Sequence, residues 1–200
     1  MKKRVSILLL ALILIISLIP IEESKASNNR KVLRVGMEVA NAPFNWSQTN
    51  NSNGAVPVVG TQEYANGYDV QIAKKIADEL GMDLEIVKIE WDGLLPAVQS
   101  GKIDAIIAGM SPTPDRKKVL DFTINYYETD IVLVTRSDSK YKDAKTLSDF
   151  TGARVVAQLN TIYDPLVEQI PEVNHLTPMP DFPTIRVALQ TGKVDAYVAE

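Results

Sequence analysis

Ala97-Val98-Gln99-Ser100-Gly101-Lys102-Ile103-Asp104-Ala105 is echoed by Ala188-Leu189-Gln190-Thr191-Gly192-Lys193-Val194-Asp195-Ala196. Each copy reads as a helix end, a glycine stop and the first residues of a buried strand. Helix-Gly-strand junctions resemble one another by chance. Nine aligned positions at one constant offset nevertheless favour two lobes of related architecture. The same offset pairs Gly109 with Glu200, each just beyond its strand. In open parallel sheets, ligands bind outside the carboxyl ends of the strands. Two lobes presenting those ends to each other would enclose a site between them.

Around the first copy, residues 32–36 read as a strand, and Val70, Ala73, Ile76, Ala77 and Leu80 recur at helical spacing before Gly81. Residues 84–89 alternate as a strand, Asp92 opens a helix ending at Gly101, and residues 103–108 form an apolar strand. Before the second copy come strands at 131–135 and 153–157, helices at 146–150 and 161–170, and a brief strand at 175–177. Asp181 caps the helix that leads into the echo, and residues 193–199 form the last strand. Alternating helices and strands imply βαβ units and a mainly parallel sheet. Residues 45–66 are rich in Asn, Gly, Ser and Thr without a period, and read as one long loop.

The first residues carry a different message. Lys2, Lys3 and Arg4 precede an apolar run from Val5 to Ile19, then Pro20 and Ser24-Lys25-Ala26. This is the layout of a secretory signal peptide over residues 1–26, with the cut after Ala26. An uncleaved anchor is the alternative, although the run is short of the about 20 residues that span a bilayer. Cysteine is absent, so core packing must stabilise the exported fold without disulfides. The chain carries −4, and removing the leader's +2 leaves −6. An acidic surface excludes nucleic acid as the expected partner.

Chemistry concentrates beyond the echo strands. In Gly109-Met110-Ser111-Pro112-Thr113-Pro114-Asp115-Arg116, Gly109 allows close backbone approach and Ser111 offers a hydroxyl. Thr113-Pro114 reads as a helix start, and Arg116 can hold a carboxylate through two parallel hydrogen bonds. A capped helix with a solvated arginine fits the same residues. Asn160-Thr161 reads as the matching helix start of the second lobe, or as an ordinary N-cap. Glu200 is placed to accept an ammonium, and is otherwise a surface carboxylate. Of the aromatic residues Phe44, Trp46, Tyr68, Trp91, Tyr126 and Tyr127, most read as core, Phe44 above all, while Trp91 is the expected pocket wall.

Enzyme signatures are weak. Residues 109–113 resemble a nucleophile elbow without its closing glycine, and His175 reads as solvated in a polar loop. There is no dinucleotide fingerprint, Walker loop or metal-ligand cluster, so no cofactor is expected. Carboxylate catalysis stays open if Glu38, Asp69 and Glu200 converge.

Several short motifs in order carry a family likeness. They are Leu33-Arg34-Val35-Gly36, Ala42-Pro43-Phe44, Gly67-Tyr68-Asp69-Val70, Trp91-Asp92-Gly93-Leu94-Leu95-Pro96-Ala97, Gly101-Lys102-Ile103-Asp104, Thr113-Pro114-Asp115-Arg116-Lys117-Lys118 and Asp121-Phe122. With them, residues 32–200 resemble the polar amino acid-binding proteins of bacterial ABC importers, the solute-binding protein family 3. The resemblance implies a two-lobed α/β fold of the periplasmic-binding-protein type II, a Venus flytrap closing by hinge motion on one amino acid. It implies that Arg116 and Ser111, with the Thr161 region, hold the α-carboxylate. Gly109, Ser111 and Glu200 would hold the α-amino group. Glu38, Asn41, Trp91 and Gln158 would surround the side chain, with Asp69 nearby.

The resemblance also divides the chain into lobe 1 over 27–124 and lobe 2 over 125–200, each incomplete, with a fold truncated at its C-terminus. Gln71 stands where a second acidic residue is usual, Asn160-Thr161 replaces a Gly-Thr pair, and the 45–66 loop is long. The expected protein is exported to the periplasm or outer face of the membrane. It takes a polar or cationic amino acid to an ABC permease, which can be a separate chain or fused in a longer one. A membrane sensor and a dehydratase built on the same trap are the competing functions.

Overall fold

The computed structural model describes residues 30–200, and the leader with its cut after Ala26 lies outside them. The apolar positions gather into two cores. One spans Leu33 to Ala108 and the other Tyr141 to Ala199. No helix among the described residues is long and apolar enough to cross a membrane.

In the first lobe, β1 (Val32–Met37) is the central strand of a parallel sheet, flanked by β6 (Asp83–Lys88) and β7 (Ala105–Ile106). Helices α1 (Tyr68–Leu80) and α2 (Trp91–Gln99) pack against it. Val70, Ala73 and Ala77 bury the inner face of α1, whereas Ile76 and Leu80 face solvent, which narrows the stripe expected from periodicity. In the second lobe, β9 (Arg154–Val156) is flanked by β10 (Asn174–His175) and β11 (Ala196–Ala199), all parallel, and β8 (Val132–Thr135) adds an antiparallel edge. Helix α3 (Phe182–Gln190) starts at Asp181, whose carboxylate accepts from the Thr184 N–H at 2.7 Å.

The echo is structural. Gly101 and Gly192 both take left-handed conformations, φ 73° and 71°, where a side chain would be strained. Asp104 accepts from the backbone N–H, Nε and Nη2 of Arg34 at 2.8, 3.0 and 2.7 Å. Asp195 accepts from the same three donors of Arg154 at the same distances. Each fork ties the start of an echo strand to the central strand of its lobe, a bidentate geometry that only Arg provides. The step from Arg34 to Arg154 also carries Glu38 onto Gln158.

Several sequence expectations change. Residues 45–66 are not one loop: β3 (Asn45–Gln48), β4 (Val56–Pro57) and β5 (Tyr64–Asn66) join β2 (Ala40–Asn41) in a four-stranded antiparallel sheet. Strands of two to four residues are too short to show alternation, and their pairing partners are remote. The helix expected over 161–170 is a 3-10 segment at Asp164–Gln169, and the one over 146–150 a 3-10 turn at Leu147–Phe150. Thr113-Pro114 opens only a single 3-10 turn, Arg116–Lys118, although Thr113 Oγ1 does accept from the Arg116 N–H at 3.2 Å. His175 is not a solvated loop residue. It sits on edge strand β10 with Nδ1 2.6 Å from Glu168 and Nε2 2.9 Å from Asp164.

Gly67 holds the β2–β3 turn of the short antiparallel sheet against the start of α1. With φ at 127°, it brings its Cα so close to Phe44 that any Cβ would run into the Phe44 carbonyl. That approach lets the N–H groups of Tyr68 and Asp69 reach the carbonyls of Pro43 and Phe44 at 3.1 and 2.9 Å. The otherwise orphaned donors at the start of α1 are thereby satisfied.

Candidate functional site

Four strand ends converge between the two lobes. Glu38 follows β1, Gly109 lies just past β7, Gln158 follows β9 and Glu200 follows β11. The crevice they form is also lined by Asn41, Trp91, Ser111, Arg116 and Thr161. Nine of the ten residues named from the sequence therefore share one crevice. Asp69 does not: it is fully buried behind the wall, bonded to Asn45 and Tyr126.

Three aromatic residues join the lining, together with Ala108 and Ile162. Phe44, read from sequence as core, forms part of the wall, and Tyr163 and Phe182 come from the second lobe. Sequence reasoning passed over Tyr163 and Phe182 because aromatic residues beside apolar ones read as core, which in part they are. Their signal was position: both lie at the entry to helical segments, Tyr163 two residues after Thr161 and Phe182 directly after Asp181.

Arg116 marks one pole. Its Nη1 donates to the Ser111 carbonyl at 3.0 Å, and its guanidinium stacks 5.3 Å above the Trp91 ring centroid. Burial draws its pKa below the usual arginine value, with Tyr163 opposing. The group stays cationic at any physiological pH. Neither neighbouring segment is an α-helix start, so an anion here depends on the arginine fork rather than on aligned helix dipoles. Thr161 Oγ1 donates to the Gln158 carbonyl at 2.7 Å, which holds the second-lobe rim in shape.

Two carboxylates mark the other poles. Burial raises the pKa of Glu200, and the hydroxyls of Tyr163 and Ser111 partly offset this. Glu38 is 6% exposed, and burial pushes its pKa up to about 7, while the Gln158 hydrogen bond pulls it down and Glu90, Asp181 and Asp92 push it further up. Three further acidic groups thus lie near enough to Glu38 to act on its charge. Backbone strain adjoins it too: Val39, β-branched, sits at φ 57°, a conformation such residues avoid.

The lobes are drawn together. Gln158 Nε2 donates to Glu38 Oε1 at 2.7 Å, joining the two residues that the internal symmetry equates. Trp91 Nε1 and Arg116 Nη2 donate to the Asn160 carbonyl at 3.1 and 3.4 Å, and Asn160 Nδ2 donates to Asp92 at 2.9 Å. Asn160 takes φ 56°, which asparagine tolerates, and its side chain supplies a bond that the glycine usual at this place could not. The enclosed space is about 20 Å³, close to the room for one water. Nothing much larger fits this space until the lobes part.

Comparison with known proteins gives this geometry a context. The model of bacterial extracellular solute-binding proteins, family 3, matches residues 33–170. The arginine-binding extracellular protein ArtP of Bacillus subtilis is 30% identical over 70% of this chain and 49% of its own length. A probable histidine-binding protein of Campylobacter jejuni is 28% identical over 88% of this chain and 63% of its own. The chain thus spans from about half to less than two thirds of the length of these relatives.

Among solved structures, the arginine-bound form of truncated ArgBP from T. maritima superposes with a TM-score of 0.70 and 34% identity, over 86% of this chain and 74% of that one. The ancestral amino acid-binding protein AncCDT-1, a precursor of cyclohexadienyl dehydratase, gives a TM-score of 0.71 at 29% identity, over 84% of this chain and 69% of that one. The architecture is the two-lobed type II fold of periplasmic binding proteins.

Proposed function

The chain belongs to the bacterial extracellular solute-binding proteins, family 3, and from that premise we propose that it captures a cationic or polar amino acid for an ABC importer outside the cytoplasmic membrane. The observation that carries this reading is the placement of opposite charges in one crevice between two lobes. Arg116 stands at one pole, Glu200 at another and Glu38 at the third. An α-amino acid carries a carboxylate and an ammonium, so it needs both Arg116 and Glu200 if neither ligand charge is to be buried unpaired.

Glu38 decides the side chain. A buried carboxylate with Glu90, Asp92 and Asp181 acting on it disfavours an aliphatic neighbour and favours a cation that restores its charge. Trp91 offers a flat face to a guanidinium or an aliphatic stem. Gln158 and Asn41 offer hydrogen bonds beside it, and Ser111 and Thr161 flank the carboxylate pole. Lobe 1 over 27–124 and lobe 2 over 125–200 are the two jaws. The partner is the permease of the importer, met by the closed form.

The test is calorimetry with arginine, lysine, histidine, glutamine, leucine and valine. Tightest binding of a cationic amino acid supports the reading, and a preference for leucine or valine overturns it. One observation favours a second reading. The neighbour named as a dehydratase precursor shares this fold, and Glu38, with its pKa near 7, has the properties of a general acid or base. That neighbour is itself described as an amino acid-binding protein, so binding without turnover is the reading we adopt. Product formed from a ring-containing acid substrate would reverse the choice.

A further inference from the structure

Asp69 is the most buried charged side chain among the described residues, at 0% exposure, and the crevice does not use it directly. Its two oxygens have separate duties. Oδ2 accepts from Asn45 Nδ2 at 2.8 Å, and the Oδ1 of that same asparagine accepts from the Ala40 N–H at 3.3 Å. Oδ1 of Asp69 accepts from the Tyr126 hydroxyl at 2.7 Å, and that hydroxyl accepts from the Gly109 N–H at 2.9 Å. A second bond from the same turn of α1, Tyr68 OH to the Tyr126 carbonyl at 3.0 Å, holds Tyr126 in place.

We propose that Asp69 is a positioning residue that sets both ligand-facing walls of the first lobe, reaching Gly109 through Tyr126 and Ala40-Asn41 through Asn45. This rests on the reading of the crevice as an amino acid site. The chemistry gives the relay one direction. A carboxylate only accepts, so the Tyr126 hydroxyl must donate to Asp69 and has only lone pairs left for Gly109. The Gly109 N–H is therefore committed to Tyr126. What Gly109 has left for a ligand is its carbonyl, an acceptor suited to an ammonium.

Gly109 holds φ 62° although nothing lies within 4 Å of where a Cβ would be, so its conformation answers to backbone orientation rather than to crowding. On the other branch, Asn45 anchors the residue before Asn41, next to the strained Val39. A buried carboxylate held by neutral partners is costly, and apolar residues would fill the space at lower cost. Its presence is accounted for by the two chains of hydrogen bonds it directs.

The full chain is tested with L-arginine by calorimetry, with thermal melting and amide hydrogen exchange followed in parallel. Tyr126→Phe leaves the Gly109 N–H without its acceptor. It also leaves Asp69 Oδ1 without a donor, so melting should fall as well. Affinity should fall roughly five- to hundredfold, by more than the loss in melting accounts for, with selectively faster exchange at Gly109. Asp69→Asn turns an amide toward the Asn45 amide and should cost more. The reciprocal pair, Asn45→Asp with Asp69→Asn, restores every donor to an acceptor and should recover most of the affinity.

The proposal is overturned if Tyr126→Phe binds as wild type with Gly109 equally protected. It is overturned equally if affinity falls only in step with melting and the reciprocal pair rescues nothing. Absence of binding to any amino acid by the wild-type chain is a different result: it removes the functional reading on which the relay rests.

Discussion

Glu38 should make ligand binding depend on pH in a direction opposite to that of stability. Its carboxyl is held up to about 7 by burial, so at pH 7 it is about half protonated. A cationic ligand side chain needs the carboxylate and lowers its pKa on binding, so binding releases a proton. If the bound pKa lies well below 5.5, the fraction ready to bind falls from about three quarters at pH 7.5 to about 3% at pH 5.5, an approximately 25-fold loss of affinity or about 1.9 kcal/mol.

Stability runs the other way. A folded-state pKa raised above the unfolded value contributes stability that is full below the unfolded pKa and is lost as pH rises through about 7. The assay is calorimetry with L-arginine from pH 5.5 to 8, in two buffers of different ionisation enthalpy. Close to one proton should be released near pH 6. Glu200 also titrates high, so the Glu38 contribution is the difference between wild type and Glu38→Gln. The variant should bind arginine weakly, with most of the pH dependence gone. A flat wild-type profile, or one that Glu38→Gln leaves unchanged, would refute the reasoning.

Other perturbations separate binding from architecture. Arg116→Ala should weaken arginine binding by roughly thirty- to several-thousandfold, from about 2–5 kcal/mol for removing one partner of a buried charge pair, and Arg116→Lys should recover little of it in calorimetry. Gly67→Ala should lower stability by about 2 kcal/mol or more in a denaturant titration, since it combines a strained φ with a Cβ against the Phe44 carbonyl. Asp195→Ala should lower the melting temperature more than Asp104→Ala, because the second-lobe fork is the less exposed of the two, at 22% against 37% for the aspartate. His175 should titrate above the ordinary imidazole value by NMR. Its burial opposes this, but Glu168 and Asp164 outweigh it, so Asp164→Asn should bring the midpoint down.

Much of this protein is legible along the chain. The echo at 97–105 and 188–196 records the same helix-glycine-strand junction twice, because both lobes solve one local problem with one set of residues. Its aspartates could be seen, but not their partners: Arg34 and Arg154 lie 70 and 41 residues away. Helical and strand periodicity located α1, α2, α3 and the central strands, since each buries a face long enough to leave a pattern. The short sheet at 40–66 left none, and needed its partners in space.

The same division runs through the site. Arg116, Gly109, Ser111 and Glu200 were nameable because they follow strands whose ends must carry the chemistry of such a fold. Tertiary structure alone decided that Asp69 stands behind the wall rather than in it, and that Phe44, Tyr163 and Phe182 face the crevice. It alone put Glu38 against Gln158 across 120 residues of sequence. Residue identity and spacing determine which groups a chain can offer. Desolvation and distance set what those groups do, and both come into being only when the lobes fold and meet.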